Sequence, residues 1–167
     1  MKNFKFEIGI ILVLILSRFI PHPPNFTALI ALSFYIPHLF GFRSIYSILI
    51  GLLISDIVLG LHFTMVFTFF AIYLIGFISS KIKSILYKRV TACFFSAVIF
   101  FVISNFGVWI SSGMYENSLS GLISCYYLAI PFFYSTALST ILYSILFELL
   151  LKLNEKKIIS FEQNKKI

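Results

Sequence analysis

The sequence predicts an all-α integral membrane protein, a bundle of six transmembrane helices. The chain of 167 residues is 60% hydrophobic and 11% charged, with a mean hydropathy of +1.02, so it has too few polar side chains to cover a soluble domain of its size. Its apolar residues fall in blocks with charges between them, and most blocks come close to the roughly 20 residues that span a hydrocarbon core. The strands of a β-barrel would alternate instead.

Taken in chain order, the apolar blocks define the boundaries of the six helices. The second block would be only about 22 Å long as a helix, and Pro37 near its end fits an early stop. We assign residues 1–152 to one transmembrane helical domain and 153–167 to a short basic cytoplasmic tail. The predicted helices cover residues 4–20, 26–40, 44–61, 63–80, 90–111 and 132–152.

The basic residues predict the orientation of the bundle. With six crossings and the N-terminus inside, every lysine and arginine except Arg18 lies on the inner side of the membrane. Both termini are then cytoplasmic. The net charge of +7 is explained by this placement, so we expect no nucleic-acid partner and a lipid bilayer around the chain.

The stretch SLSGLISCYYLAI, residues 118–130, is apolar as well. A seventh crossing would carry the lysine-rich tail to the outer side, against the positive-inside rule. We therefore expect this stretch to lie at the outer surface or to fold back into the protein before Pro131 turns the chain inward.

Helix 6 carries two features at helical spacing. Glu148 and Lys152 are four residues apart, as in an ordinary ion pair on a helix surface. The other feature is a stripe of small residues that permits the close approach of another helix, by default one of the same chain. The stripe consists of Ser135, Thr136, Ser139, Thr140 and Ser144.

The rare polar residues of the apolar blocks share one depth, at the outer ends of the odd-numbered helices. An ionisable residue within a span is costly and usually faces the protein interior, where it is paired or used. We therefore expect an outer-facing ligand pocket lined by Arg18, His22 and Asn25 of SRFIPHPPNF, Asp56 and His62 of SDIVLGLH, and Asn105 and Trp109 of NFGVW.

Several of these residues have a purely structural interpretation beside the ligand-binding one. Arg18 and Asp56 can form a buried ion pair that holds helix 1 to helix 3 and still leaves guanidinium donors for an anionic group. The segment PHPPNF cannot be helical, and forms either the rim of the pocket or a stiff turn. Trp109 also fits the aromatic belt of a membrane interface.

The sequence offers no motif for catalysis or for a cofactor. His22 and His62 have no third metal ligand at a clear spacing, and Cys93 and Cys125 form no CxxC pair. No GxxxxGK loop is present, and no nucleophile and base stand at a recognisable spacing. We expect no metal, no cofactor and no catalytic residue, and therefore a protein that is not an enzyme.

Four segments together resemble a family of small, uncharacterised bacterial membrane proteins that are assigned to transport: RFIPHPPNFTALIAL, SDIVLGLH, NFGVW and GLISCYYLAIPFF. The resemblance covers nearly all of the membrane domain, and its recurrent positions include Cys125 and add Tyr126 to the pocket. In outline the chain is also distantly similar to the S components of energy-coupling-factor transporters. That similarity implies about six helices, both termini inside and a ligand pocket near the outer surface.

The chain departs from both patterns in helices 6 and 1. After PFF it has Tyr134 and Ser135 where family members tend to have an Arg-Asn pair, so the resemblance implies no polar role for helix 6. Helix 1 reads GIILVLILS and lacks the AxxxA pattern with which S components dock their transmembrane partner.

The sequence thus predicts a transport protein of the bacterial inner (plasma) membrane. It would bind a small polar or anionic solute in the outer-facing pocket and move it with energy from a transmembrane or ATPase partner or from a gradient. The alternative is a structural membrane subunit similar to the cell-shape protein MreD, in which the polar cluster only holds helices together.

Overall fold

Six α-helices and one short 3₁₀-helix make up the regular structure of the described chain. The computed structural model describes the backbone of residues 2–82 and 86–164, and the side chains of residues 7–82 and 88–153. The predicted all-helical fold is confirmed for these residues. The helices are α1 (Lys2–Phe19), α2 (Leu29–Phe40), α3 (Ile45–Leu59), α4 (Met65–Lys81), α5 (Leu86–Ser111) and α6 (Leu119–Asn164), with the 3₁₀-helix at Phe42–Ser44.

Helix α2 lies at the centre of the bundle. Every residue from Leu29 to Pro37 is buried, and α2 contacts each of the other five helices. Its sequence LIALSFYIPHLF is almost uniformly apolar, as a helix covered on all sides requires. The helix ends at Phe40, where Gly41 takes a φ of 89° and donates its N–H to the Pro37 carbonyl oxygen at 3.0 Å.

Helix α6 overturns the prediction for residues 118–130. We expected this stretch to lie at the surface or to fold back, with helix 6 confined to 132–152. Instead one helix of 46 residues, about 69 Å long, runs from Leu119 to Asn164 with Pro131 inside it. Pro131 lacks an N–H, which removes one backbone hydrogen bond but leaves the turns on both sides intact. A single long helix counts as one crossing, so it also satisfies the charge argument against a seventh span.

The small-residue stripe of α6 faces the interior of the same chain, as predicted. The helix packs mainly on α5 and also on α2. Ser135 is only partly covered, whereas the other four stripe residues are buried: Thr136, Ser139, Thr140 and Ser144. Small side chains at this spacing allow the helix axes to approach closely. The predicted basic tail at 153–167 begins within α6, and its side chains from residue 154 onward lie outside the described ones.

Helix length and surface composition both indicate a membrane protein. Within the described residues, three stretches are long and apolar enough to cross a bilayer: Phe42–Leu59, Lys88–Ser111 and Leu119–Leu153. Two shorter apolar helices, Leu29–Phe40 and Met65–Lys81, lie among them. Large hydrophobic side chains such as Leu12, Val58 and Leu142 are exposed on the outer helix faces. Apolar surface of this extent is unusual in water and ordinary in lipid.

Gly121 allows the first turn of α6 to pass the loop that follows α5. A Cβ atom at this position would overlap the backbone carbonyl oxygen of Glu116. At Gly9, in α1, no atom lies within 4 Å of the position that a Cβ would occupy. The two glycines therefore differ in what an added methyl group would meet, although both lie in helices.

We predict that Gly121→Ala destabilises the protein by about 1 to 3 kcal/mol, because a backbone oxygen cannot move aside as a side chain can. Gly9→Ala is the matched control and should cause no loss, since alanine favours the helix and meets no neighbour. Thermal unfolding of the two variants in detergent measures the difference. Equal melting temperatures would contradict this prediction, because they would show that the loop moves away from the added methyl group without a loss of stability.

Candidate functional site

A cavity of about 540 Å³ lies at one end of the helix bundle. Its volume is within the range of about 300 to 1,000 Å³ typical of small-molecule pockets. The C-terminal ends of α1, α3 and α5 and the N-terminal ends of α2, α4 and α6 contribute to it. Six of the eight predicted pocket residues line this cavity, and so does Cys125; the six are Arg18, His22, Asn25, Asp56, His62 and Asn105.

Arg18 and Asp56 form the predicted ion pair between α1 and α3. Arg18 Nη1 lies 2.6 Å from Asp56 Oδ1, and the side chains are 18% and 3% exposed. The same nitrogen donates to Ser55 Oγ and, at 3.4 Å, to the Leu52 carbonyl oxygen. Gly51 of α3 lies close to α1, because a Cβ there would stand 3.1 Å from a Leu14 methyl carbon. The pair is thus both a link between two helices and part of the cavity wall.

The proline-rich segment between α1 and α2 is non-helical, as predicted, and forms part of the cavity wall. The Phe26 N–H donates to the Pro23 carbonyl oxygen at 3.0 Å and closes a turn. Asn25 has a φ of 62°, which asparagine tolerates better than most residues. The His22 ring lies beside two carbonyl oxygens, with Nδ1 2.7 Å from that of Pro23 and Nε2 3.4 Å from that of Arg18, and a neutral ring can donate to one of them.

The loop between α3 and α4 covers another side of the cavity. Gly60, with a φ of 114°, ends α3 and donates its N–H to the Asp56 carbonyl oxygen at 2.8 Å. His62 Nδ1 lies 2.6 Å from Thr64 Oγ1. Thr64 and Thr68 also line the cavity, although the sequence analysis did not select them. Their four-residue spacing at the start of α4 was the available signal, because residues four apart share a helix face.

Helices α5 and α6 form a largely aromatic wall. Asn105 donates its Nδ2–H to the Phe101 carbonyl oxygen at 2.8 Å, so it is anchored to its own helix. Its backbone oxygen accepts a hydrogen bond from Cys125 Sγ at 3.4 Å, which joins the two helices. The wall residues recur every three or four positions on each helix and include Phe100, Phe101, Ser104, Leu128, Phe132, Phe133 and Thr136. The sequence does not single out this wall, because aromatic residues are abundant throughout the apolar blocks.

Trp109 and Tyr126 do not line the cavity. Trp109 donates its indole N–H to the Glu116 carbonyl oxygen at 3.0 Å, which fixes the loop after α5. Tyr126 donates its hydroxyl to the Val102 carbonyl oxygen at 2.6 Å, which fastens α6 to α5. Both contacts hold neighbouring segments together. These two of the eight predicted residues therefore lie outside the lining of this cavity.

A second charged cluster lies at the other end of the bundle and corrects the prediction for Glu148. This carboxylate does not pair with Lys152 but with Arg89 of α5, through Nε at 2.7 Å and Nη2 at 2.6 Å. Tyr35 of α2 donates its hydroxyl to the same carboxylate at 2.8 Å. Glu148 is buried and faces inward, whereas Lys152 is exposed on α6. Burial selects the inward partners over the helical neighbour because a buried carboxylate needs close donors.

The cavity combines a charged, hydrogen-bonding side with an apolar one. Arg18 and Asp56 are its only fully charged lining residues among those described, and His22, His62 and Asn105 add polar groups. No group of three metal-ligating side chains occurs in the described part of the chain. The arrangement is suited to bind a small molecule through directed hydrogen bonds and aromatic contact.

We predict that Glu148→Gln lowers the free energy of unfolding by roughly 1 to 3 kcal/mol, because it leaves Arg89 without its carboxylate. Arg89 keeps a side-chain exposure of 20%, so solvent screens part of the loss. Glu116→Gln, at an exposed loop carboxylate, should stay within about 0.5 kcal/mol of the wild type. Chemical or thermal unfolding in detergent provides the measurement. Similar losses for both variants would contradict a structural role of the cluster.

Comparison with known proteins gives a family but no characterised relative. The sequence profile of a family of unknown function, DUF6580, matches residues 2–161. No curated protein and no solved structure matches the chain at a significant level. Because the match extends over nearly the whole sequence, the chain belongs to the DUF6580 family of unknown function.

Proposed function

We propose that this chain is a transport protein of the bacterial inner membrane that binds a small polar or anionic solute in the cavity. The observation that carries the proposal is the Arg18–Asp56 pair in the cavity wall. Two helices can be joined by an ion pair without any adjoining cavity. A charged pair beside an accessible cavity, together with polar groups from other helices, is typical of a ligand site.

In this proposal all six helices cross the bilayer and the cavity faces outward. The alternating direction of successive helices supports six crossings, because the ends of all six meet at the cavity. The charge distribution supports the orientation. Among the described side chains, Arg43, Lys81, Lys88 and Arg89 lie toward the other end of the bundle, which the positive-inside rule assigns to the cytoplasm. Both termini would then be cytoplasmic.

Movement of the solute requires energy from outside this chain. The sequence carries no nucleotide-binding loop, so a transmembrane or ATPase partner or an ion gradient would supply it. The Arg89–Glu148–Tyr35 cluster stands between the cavity and the opposite end of α6. Release of the solute to the cytoplasm would therefore require α5 and α6 to rearrange around this cluster.

A structural membrane subunit, similar to MreD, is the second candidate function. The observation in its favour is that the Arg18–Asp56 pair, with the bonds to Ser55 and Leu52, already joins α1 to α3 without a ligand. Purification from native membranes separates the two functions. A co-purifying ATPase favours transport, and co-purifying wall-synthesis or cytoskeletal proteins favour a scaffold.

A thermal-shift screen of the detergent-purified protein against small polar and anionic solutes tests solute binding. We expect a ligand present at about 100 times its Kd to stabilise the folded state by about 2.7 kcal/mol. Arg18→Lys keeps a positive charge beside Asp56 but removes the planar guanidinium, so the shift should shrink strongly. Arg43→Ala, at an exposed site far from the cavity, is the control and should keep the full shift.

Absence of any stabilising solute across the screen would contradict the binding proposal. An equal shift in wild-type and Arg18→Lys protein would show that binding occurs elsewhere. Native mass spectrometry of the purified protein adds an independent measurement, since a retained molecule should be lost from Arg18→Lys and kept by Arg43→Ala.

A further inference from the structure

In the Arg18–Asp56 ion pair of the cavity, one guanidinium nitrogen contacts one carboxylate oxygen. All the polar side-chain contacts of Arg18 run through Nη1, to Asp56, Ser55 and Leu52. Within the described part of the chain, no acceptor reaches Arg18 Nε or Nη2 and no donor reaches Asp56 Oδ2. The pair therefore retains both positive donors and a negative acceptor.

The Arg89–Glu148 ion pair is different, because both oxygens of its carboxylate accept hydrogen bonds. Arg89 and Glu148 meet edge to edge, with Nε on Oε1 at 2.7 Å and Nη2 on Oε2 at 2.6 Å, and Tyr35 adds a third donor. Neither Arg89 nor Glu148 lines the cavity. One chain thus holds a pair that is closed on itself away from the cavity and a pair with free groups in the cavity wall.

The charge balance in the cavity disfavours a purely anionic or a purely cationic ligand. Arg18 and Asp56 are the fully charged groups among its described lining residues, so their formal charges cancel when His22 and His62 are neutral. An anion placed on Arg18 would stand beside the Asp56 carboxylate, and a cation placed on Asp56 would stand beside the guanidinium. Like charges repel each other at short range, and either ligand would leave one free group of the ion pair without a partner.

The wall of the cavity that α5 and α6 form is largely aromatic. Phe100 and Phe101 of α5 and Phe132 and Phe133 of α6 line it. The Phe101 and Phe133 rings lie 4.8 Å apart between centroids, so the two helices present a continuous aromatic surface. Aromatic walls of this kind favour a flat or bulky apolar group on the ligand.

We infer that the cavity binds a zwitterion, a molecule with a carboxylate and an ammonium on neighbouring atoms and an apolar, preferably aromatic, body. This inference rests on the proposed solute-binding function and specifies its substrate class. The carboxylate accepts from the free edge of Arg18, and the ammonium donates to Asp56 Oδ2. The body lies against the phenylalanine wall. Both charges of the ligand are then matched, and the ion pair between α1 and α3 stays intact.

A matched set of three ligands tests this class on the full-length protein in detergent: phenylalanine, phenylpropanoate and phenylethylamine. They share an aromatic body and differ in which charged groups they carry. We expect phenylalanine to bind and removal of either charged group to weaken its Kd at least about tenfold, as loss of a charge-assisted hydrogen bond does. Calorimetry or thermal shift measures all three.

Two variants identify the groups responsible. Asp56→Asn removes the negative acceptor, so the preference for phenylalanine over phenylpropanoate should disappear or reverse. Glu148→Gln is the matched control, because it neutralises the other paired carboxylate outside the cavity, and it should leave the preference unchanged. If Asp56→Asn does not fold, the three-ligand comparison on the wild type still decides the question.

The outcomes separate this inference from the proposed function. Phenylpropanoate binding as tightly as phenylalanine overturns the zwitterion class and leaves solute binding standing. Failure of all three ligands while another small solute binds also overturns the inference. Failure of every solute in the wider screen removes the proposed function itself.

Discussion

A charge inside an apolar helix bundle needs a partner, and this requirement determines how α1 is placed. Arg18 and Asp56 are separated in sequence by the whole of α2 and most of α3, yet they meet at 2.6 Å in the structure. Leaving either one unpaired in a low-dielectric interior would cost several kcal/mol on insertion scales. Helix α1 has its main contact with α3, and the ion pair lies within that contact. The position of α1 in turn sets one wall of the cavity.

The same requirement is met differently at the two ends of the bundle. At the far end, the buried Glu148 binds Arg89 through both oxygens and also accepts from Tyr35, so α2, α5 and α6 are joined at one point. The Tyr35 ring stacks on Phe147 with centroids 5.0 Å apart, which encloses this cluster in apolar surface. At the cavity end, the Arg18–Asp56 pair keeps unpaired groups. The two ends of the bundle therefore differ in how completely their ion pairs are bonded.

Helix α6 shows why a proline does not by itself define a helix boundary. Pro131 costs one hydrogen bond, whereas the residues around it form a continuous buried face with Cys125 and Ala129 before it and Thr136 after it. Packing of that face along α5 outweighs the lost bond. The continuous helix places Cys125, before the proline, and Phe132 and Phe133, after it, in the lining of the same cavity.

Sequence alone is enough to predict the class of protein, the number of helices and the residues that need partners. Hydrophobic block length and the rarity of charged residues carry this information locally, so Arg18, Asp56 and Asn105 could be recognised without coordinates. Three features are visible only in the folded chain: Trp109 and Tyr126 serve as links between segments, Glu148 pairs with Arg89, and α6 continues through Pro131. These outcomes depend on which groups from distant parts of the chain become neighbours, and helical spacing describes only neighbours within one helix.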